Sequence, residues 1–203
     1  MENHGEFIGR IAALKKRKSD VLLVLAVNSG WKETNFLPLF SEEQTIMEDY
    51  EVGDTVSISA YVRTGVIFHP RRKGEERFYY QKLMISDLRR CERLLSKKFD
   101  LKEAGTAYGE DKNELYLSGV VTFIRQGKNG DFLRLEIPNG EEIQDKGKFQ
   151  APGVYVYGKM RETLKEIREG DRVCLVTEVR SYWNEKEHVK ITKIVCRDLA
   201  IDK

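Results

Sequence analysis

The sequence predicts an all-β protein made of two similar five-stranded barrels, each with a short helix between its third and fourth strands. Three observations favour this fold class: an internal repeat, apolar residues at every second position, and Gly- or Asn-containing turns between the alternating segments. The chain of 203 residues is long enough for two small domains. A hydrophobic content of 40% is sufficient for packed cores, so we expect two folded units.

The internal repeat aligns the N-terminal half of the chain with the C-terminal half. Asn and Gly have the same spacing at the start of each copy, and a Gly-Asp turn followed by Val occurs later in each. Insertions fall in two loops, one in each copy, as expected for duplication of one fold. The matching segments are Asn3–Ile11 with Asn113–Val121, Gly53–Ile58 with Gly170–Leu175, and Lys82–Leu88 with Lys193–Leu199.

The repeat divides the chain into three parts. Residues 1–90 and 114–203 are predicted as the two domains, and residues 91–113 connect them. Within this connection, residues 91–99 have apolar side chains at roughly helical spacing and predict a short helix. Residues 105–113 are polar and contain Gly, which predicts the linker proper.

The first three strands of each copy are predicted from alternation and turns. In the second copy, Leu115–Thr122 and Phe132–Ile137 alternate between apolar and polar positions. The intervening segment Gln126–Asp131 contains Gly and Asn, which accept positive φ and favour a hairpin turn. The third strand is predicted at residues 36–40 in the first copy and 154–157 in the second.

A short helix and a fourth strand follow in each copy. Ser41–Tyr50 is predicted to begin with an N-cap Ser and has carboxylates in its first turn, and Met160–Ile167 is its counterpart. The Gly-Asp turn, with Asp54 or Asp171 as a turn former, leads to the fourth strand. There Val56, Ile58, Ala60 and Val62 are expected to face inward. Five strands with a helix between the third and fourth is the order of an OB-fold barrel.

The order of these motifs resembles the bacterial single-stranded DNA-binding protein (SSB) family. In the first copy the Gly53-Asp54 turn leads to Arg63-Thr64, and in the second Gly170-Asp171 leads to Arg180-Ser181. The resemblance covers about 85 to 90 residues of each copy. It implies two tandem OB folds that bind single-stranded DNA with little sequence preference, in replication, repair, recombination or mobile-element transfer.

Such binding requires rings that stack on bases and cations that contact phosphates. The resemblance implies one ring at the end of the third strand, which is Phe40 in the first copy and Tyr157 in the second. It implies another shortly after the Arg-Thr pair, where Phe68 and Trp183 lie in the two copies. A further family ring, early in the third strand, has no counterpart here, since Thr34 stands at its position in the first copy and the second copy has a gap there. The candidate nucleic-acid-binding residues are Trp31, Phe40, Tyr61, Arg63, Phe68, Arg71, Arg72, Lys73, Arg125, Lys128, Arg134, Tyr157, Lys159, Arg180, Tyr182 and Trp183.

Each of these candidates has an ordinary structural alternative. A ring in a small barrel is more often part of the core, and a run of Lys and Arg in a hairpin is often a solvated turn. Tyr79 and Tyr155 are further aromatic residues of the first and second copy, respectively, and are not among the candidate binding residues. Phe7, Tyr116 and Phe123 are assigned to packing or subunit contact.

Composition argues against several other classes of function. The 35 basic and 33 acidic residues give a net charge of +2, so phosphate binding requires local basic patches. The three histidines lack metal-ligand spacing, and the sequence has no P-loop and no G-x-S-x-G motif. We therefore expect no enzyme activity, no metal and no cofactor. Three dispersed cysteines, no signal peptide and no membrane-length apolar run favour a cytoplasmic protein without membrane contact.

The sequence leaves open which ligand the chain binds and how its chains assemble. The alternative function is an OB-fold protein-interaction or replication-accessory module that has lost the DNA groove, favoured by the near-neutral charge and by the lack of an acidic tail after the last strand. RNA is an alternative strand, because stacking does not sense the 2′-hydroxyl. We expect a homodimer or an intramolecular pseudo-dimer, with Tyr116 and Val120 facing outward for strand-to-strand contact.

Overall fold

The computed structural model describes residues 1–28, 34–68, 77–91, 98–101, 105–108, 111–139, 149–184 and 189–202. The first half contains β1 (Asn3–Lys16), β2 (Val21–Asn28), β3 (Thr34–Ser41), α1 (Ile46–Asp49), β4 (Thr55–Phe68) and β5 (Arg77–Arg90). The remainder contains β6 (Lys98–Leu101), β7 (Gly105–Tyr108), β8 (Lys112–Arg125), β9 (Asp131–Pro138), β10 (Phe149–Gln150), β11 (Gly153–Val156), α2 (Met160–Leu164), β12 (Arg172–Asn184) and β13 (Val189–Ile201).

The first half forms a closed five-stranded barrel. Strand β1 pairs with both β2 and β4, β2 pairs with β3, and β4 pairs with β5. A short parallel pairing of β3 with β5 closes the ring. The alternate residues Val56, Ile58, Ala60 and Val62 of β4 are at most 1% exposed, as the period of two predicted.

The second half repeats this set of pairings. Strand β8 pairs with β9 and β12, β9 pairs with β11, and β12 pairs with β13. The pairing of β11 with β13 is parallel, like that of β3 with β5. Leu133, Leu135 and Ile137 are buried, which confirms the predicted inward face of β9.

Local irregularities recur at matching positions of the two halves. A register shift between Ile11 and Ala13 of β1 has a counterpart between Val121 and Phe123 of β8. A second shift, between Ser59 and Ala60 of β4, has a counterpart between Val176 and Thr177 of β12. Bulges of this kind locally bend and twist a strand, so both halves bend at the same points.

The turn before the fourth strand is also built in the same way in both halves. Gly53 has φ of +102° and Gly170 has φ of +98°, a conformation that favours glycine. The carboxylate of Asp54 accepts a hydrogen bond from the Glu51 amide at 3.1 Å, and that of Asp171 accepts one from the Arg168 amide at 2.8 Å. Both aspartates are therefore turn formers, as predicted.

The structure corrects several predicted elements. Helix α1 begins at Ile46 and not at Ser41, because the Ser41 hydroxyl ends β3 by accepting a hydrogen bond from the Glu43 amide at 3.1 Å. Helix α2 ends at Leu164 and not at Ile167. In the connecting segment, β6 includes residues 98–99 of the predicted helix, and β7 occupies part of the predicted linker. Residues 92–97 lie outside the described part of the chain.

The two halves are joined edge to edge. Strand β1 pairs antiparallel with β8, which places Tyr116 opposite His4 of the same chain. The Lys112 ammonium contacts the Glu6 carboxylate across this junction. The outer edge of β8 is thus occupied within the chain over this stretch. Among the described residues, no helix is long and apolar enough to cross a membrane.

Candidate nucleic-acid interface

A row of three aromatic rings lies on the outer face of β9 and β11. Phe132 and Tyr155 meet edge to face, with ring centroids 5.2 Å apart. The rings of Tyr155 and Tyr157 are nearly parallel, with centroids 6.3 Å apart. Val154 and Val156 are buried, so the alternation of β11, continued to the residue after it, directs Tyr155 and Tyr157 outward. We call Phe132, Tyr155 and Tyr157 the ring row.

Lys193 lies beside the ring row on the neighbouring strand β13. Its ammonium nitrogen is 4.5 Å from the centroid of Tyr155 and 5.0 Å from that of Tyr182. Burial lowers the pKa of Lys193, but the hydrogen bond with Tyr182 and the electrostatic interactions with Tyr157, Tyr182 and Tyr155 outweigh burial and raise it above its ordinary value. The lysine therefore remains charged at neutral pH while it contacts two rings.

Two predicted arginines flank the other end of the ring row. The guanidinium of Arg125 lies 5.7 Å from the centroid of Phe132. Arg134 lies 4.8 Å from the centroid of Tyr79 and 6.0 Å from that of Phe123. Cations and aromatic faces thus alternate along the surface, which is the arrangement that single-strand binding requires.

The other predicted cations of the second half are more peripheral. Lys128 is exposed in the β8–β9 hairpin, whose Gly130 lies against the Tyr157 ring. Lys159 is exposed at the start of α2. Arg180 is exposed and forms an ion pair with Glu178. The hairpin that contains Lys128 thus contacts the ring row through Gly130, whereas Arg180 contacts a carboxylate.

The first half has a smaller set of rings and cations around Phe40. The Lys82 ammonium lies 4.7 Å from the centroid of Phe40 and 5.7 Å from that of Tyr80. Arg17 lies on the same Phe40 ring at 5.5 Å. In the aligned sequences Lys82 corresponds to Lys193, so a lysine against a ring occupies the same position in both halves.

Arg63 and Tyr61 lie together on the outer face of β4. Arg63 donates a hydrogen bond to the Tyr61 hydroxyl at 3.0 Å and to the Glu42 carboxylate at 2.6 Å. Strand register places Arg63 opposite Lys82, just as Arg180 is opposite Lys193. Both Arg-Lys pairs therefore extend from the fourth to the fifth strand of a half.

Several predicted residues cannot be placed by their side chains. Trp31, Arg71, Arg72 and Lys73 lie outside the described residues. Phe68 ends β4 opposite Arg77, and Trp183 lies in β12 opposite Lys190; only the backbone of these two positions is described. Their participation in a site stays a prediction.

Sequence reasoning missed several residues of this surface. Phe132 and Lys193 were not among the candidates, although Lys193 is the repeat partner of Lys82 and Phe132 lies on the polar face of β9. Phe123, assigned to packing or subunit contact, is 40% exposed and contacts Phe132 and Arg134. The bulge between Val121 and Phe123 breaks the alternation and turns this ring outward.

The closed barrel of order β1-β2-β3-β5-β4 defines the chain as an OB-fold protein. The chain superposes over its whole length on the wild-type single-stranded DNA-binding protein from Thermus aquaticus, with a TM-score of 0.62, 15% identity and 93% of that chain covered. A deletion mutant of the same protein gives a TM-score of 0.63, 13% identity and 95% coverage of that chain, again with all of this chain covered. No protein-family model and no curated protein matches the sequence. The similarity to these two structures shows the fold.

Among the described residues, no group of three or more His, Cys, Asp or Glu side chains is placed to hold a metal ion.

Proposed function

We propose that the chain binds single-stranded DNA with little sequence preference. The observation that carries this proposal is the ring row with charged Lys193 4.5 Å from one of its rings and Arg125 5.7 Å from another. Base stacking on a ring is worth about 1–3 kcal/mol and is tolerant of sequence, because every base has a flat face. The single-stranded DNA-binding proteins of the same fold support the proposal.

The proposed architecture is two tandem OB folds, residues 1–90 and 114–203, joined by residues 91–113. Its support is the repeated order of strand pairing, including the parallel pairing of the third and fifth strands of each half. Asn3 bonds to both backbone groups of Val62, and Asn113 bonds in the same way to Val179. Each half then has a lysine against a ring, Lys82 or Lys193, so both halves are proposed to contact the strand.

The proposal assigns no catalytic step, no metal and no cofactor to this surface. Rings and cations that bind a strand leave it chemically unchanged. The process served is proposed to be one that exposes single strands, such as replication, repair, recombination or mobile-element transfer. RNA is the competing ligand, and a direct competition between oligo-dT and oligo-U distinguishes the two.

Substitution of one ring in each half tests the proposal. Phe40→Ala and Tyr157→Ala are each expected to weaken binding of oligo-dT by about 1–3 kcal/mol, because each removes a stacking surface. Tyr157→Phe is the matched control and is expected to bind like the wild type, since it keeps the flat face. Fluorescence anisotropy of a labelled oligo-dT measures the affinity, and circular dichroism checks that each variant is folded.

The outcome also separates the proposal from the alternative of a protein-interaction module. Folded wild-type protein that does not bind oligo-dT at low salt would overturn DNA binding and leave the interaction module. Loss of binding in Tyr157→Phe to the same degree as in Tyr157→Ala would contradict the stacking role of this ring.

A further inference from the structure

A cleft of about 770 Å³ lies where the two halves meet, and Phe132 and Tyr155 of the ring row form part of one wall. One wall consists of the distal parts of β4 and β5, and the other consists of β9, the Phe149–Gly153 segment and β13. This volume lies within the range of about 300–1,000 Å³ that is common for ligand pockets. The residues that matter most for its chemistry are Tyr79, Phe132, Arg134, Phe149, Tyr155 and Lys193.

The two walls are held together by hydrogen bonds that cross between the halves. Gln150 is only 2% exposed, and its side-chain oxygen accepts hydrogen bonds from the Thr64 amide at 2.6 Å and the Thr64 hydroxyl at 3.2 Å. The Thr64 hydroxyl in turn accepts a hydrogen bond from the Ala151 amide at 2.8 Å, and Gln81 accepts one from the Gly153 amide at 3.0 Å. A buried polar residue that is satisfied in this way fixes its neighbours, so the cleft is already shaped in the free protein.

The mouth of the cleft exposes apolar and aromatic side chains from both halves. Tyr79 of the first half is 63% exposed, and Phe149 of the second half is 48% exposed. Val66, opposite Tyr79 in the β4–β5 pair, is also exposed. Clustered exposed apolar side chains of this kind mark binding surfaces more often than a single exposed residue does.

The charged side chains that line the cleft are positive among the residues that the structure describes. Arg134 and Lys193 are the charged residues that line it, and no carboxylate does so among the described residues. Neither cation forms an ion pair with a carboxylate in the described part of the chain; Arg134 instead lies against Tyr79, and Lys193 against Tyr155. Two cations, each on a ring, match a ligand that presents flat faces and negative charges in alternation.

We propose that this cleft holds the segment of the DNA strand that passes from the first half of the chain to the second. Bases stack on Tyr79 from one wall and on Tyr155 from the other, and Arg134 and Lys193 contact the phosphates between them. This inference rests on the proposed function, which it deepens by placing one continuous path across both halves. Tyr79 is then a binding residue outside the candidate set, and Gln150 is a positioning residue.

Two pairs of variants test the cleft. Tyr79→Leu removes the flat ring but keeps apolar bulk, whereas Tyr79→Phe keeps the ring. Arg134→Gln removes a cation of the cleft, whereas Arg89→Gln removes an exposed strand arginine that does not line it. The probe is labelled oligo-dT of about 35 nucleotides, which is longer than two OB folds cover at about 4–16 nucleotides each.

We expect Tyr79→Leu to weaken binding about 5- to 150-fold, which is the loss of one stacked base, with Tyr79→Phe close to the wild type. Arg134→Gln is expected to reduce the slope of log K against log salt by about 0.7, and Arg89→Gln is expected to leave it unchanged. The double variant Tyr79→Leu/Tyr155→Leu tests the shared path. If the double variant loses less binding free energy than the sum of the losses in Tyr79→Leu and Tyr155→Leu alone, one DNA segment contacts both walls.

The outcomes distinguish failure of the cleft from failure of the proposed function. If wild-type protein does not bind oligo-dT, the proposed function itself fails. A second outcome is that wild-type protein binds oligo-dT and that Phe40→Ala and Tyr157→Ala weaken this binding. If Tyr79→Leu and Arg134→Gln then leave binding unchanged, the strand does not pass through the cleft, and only the cleft inference is overturned. Equal effects of Tyr79→Leu and Tyr79→Phe would also overturn it, because the ring would then not be a stacking surface.

Discussion

Replacement of Asn113 by Ala tests the hydrogen bonds that connect the first and fourth strands of the second half. The Asn113 side chain donates to the Val179 carbonyl at 2.8 Å and accepts from the Val179 amide at 3.0 Å. Asn113 is 7% exposed and Val179 is fully buried, so water does not readily replace either bond. A buried backbone group left without a partner costs about 1–3 kcal/mol. With two such groups, partly relieved by relaxation, we expect a loss of about 2–4 kcal/mol.

Urea unfolding of the wild type and the variant measures this loss. Asn3→Ala is the matched control, since Asn3 forms the same two bonds with Val62, both at 2.8 Å, at a partly exposed site. Access to water should reduce its cost to about 1–2 kcal/mol. A loss below about 0.5 kcal/mol for Asn113→Ala, or a larger loss for Asn3→Ala than for Asn113→Ala, would refute the reasoning from burial.

Three further predictions concern charge and assembly. Glu42→Gln should tighten oligo-dT binding about 1.5- to 5-fold, the range for a surface ion pair, because the Glu42 carboxylate contacts Arg63 at 2.6 Å; weaker binding in anisotropy titrations would contradict this. Arg161→Gln should destabilise the protein at neutral pH, because the hydrogen bonds from Arg161 hold the pKa of buried Asp131 below its ordinary value. In thermal melts, the wild type should be more stable than Arg161→Gln by the full amount above the ordinary pKa of an aspartate, and this difference should disappear as the pH falls through the lowered pKa of Asp131. A stability difference that does not depend on pH would contradict the prediction. Light scattering should give the mass of one chain, about 23.6 kDa, at all concentrations, because β1 pairs with β8 within the chain and places Tyr116 opposite His4; about twice that mass would contradict the pseudo-dimer and support the homodimer.

Periodic and local features of the fold were predictable from the sequence. The inward residues of β4 and β9 follow from alternation, and the turns at Gly53 and Gly170 follow from the need for positive φ. The boundary of α1 was not predictable in this way, because Ser41 is an equally good residue for ending a strand as for starting a helix. The Ser41 hydroxyl is used in a local turn, where it accepts a hydrogen bond from the Glu43 amide.

Parts of the candidate site depend on contacts that the sequence does not display. The inward alternation of Leu115, Leu117 and Val121 continues to Phe123, and only the bulge turns that ring to the surface. The bonds between Gln150 and Thr64 join residues 86 positions apart, so no local pattern indicates the cleft. Lys193, in contrast, could be predicted from the repeat. Its repeat partner Lys82 lies opposite Arg63 of the fourth strand, just as Lys193 lies opposite Arg180.

The most direct test of strand binding is a titration of the wild-type protein with oligo-dT of about 35 nucleotides at several salt concentrations, followed by tryptophan fluorescence. Trp31 and Trp183, the two tryptophans of the chain, are both candidate binding residues, so bound bases are expected to quench their emission. Each phosphate contact adds about 0.7 to the salt slope, and contacts from both halves should give a slope steeper than about −2. Strong quenching at low salt that weakens along this slope is the predicted result. Folded protein that shows no quenching at low salt, or binding that does not depend on salt, would contradict the account.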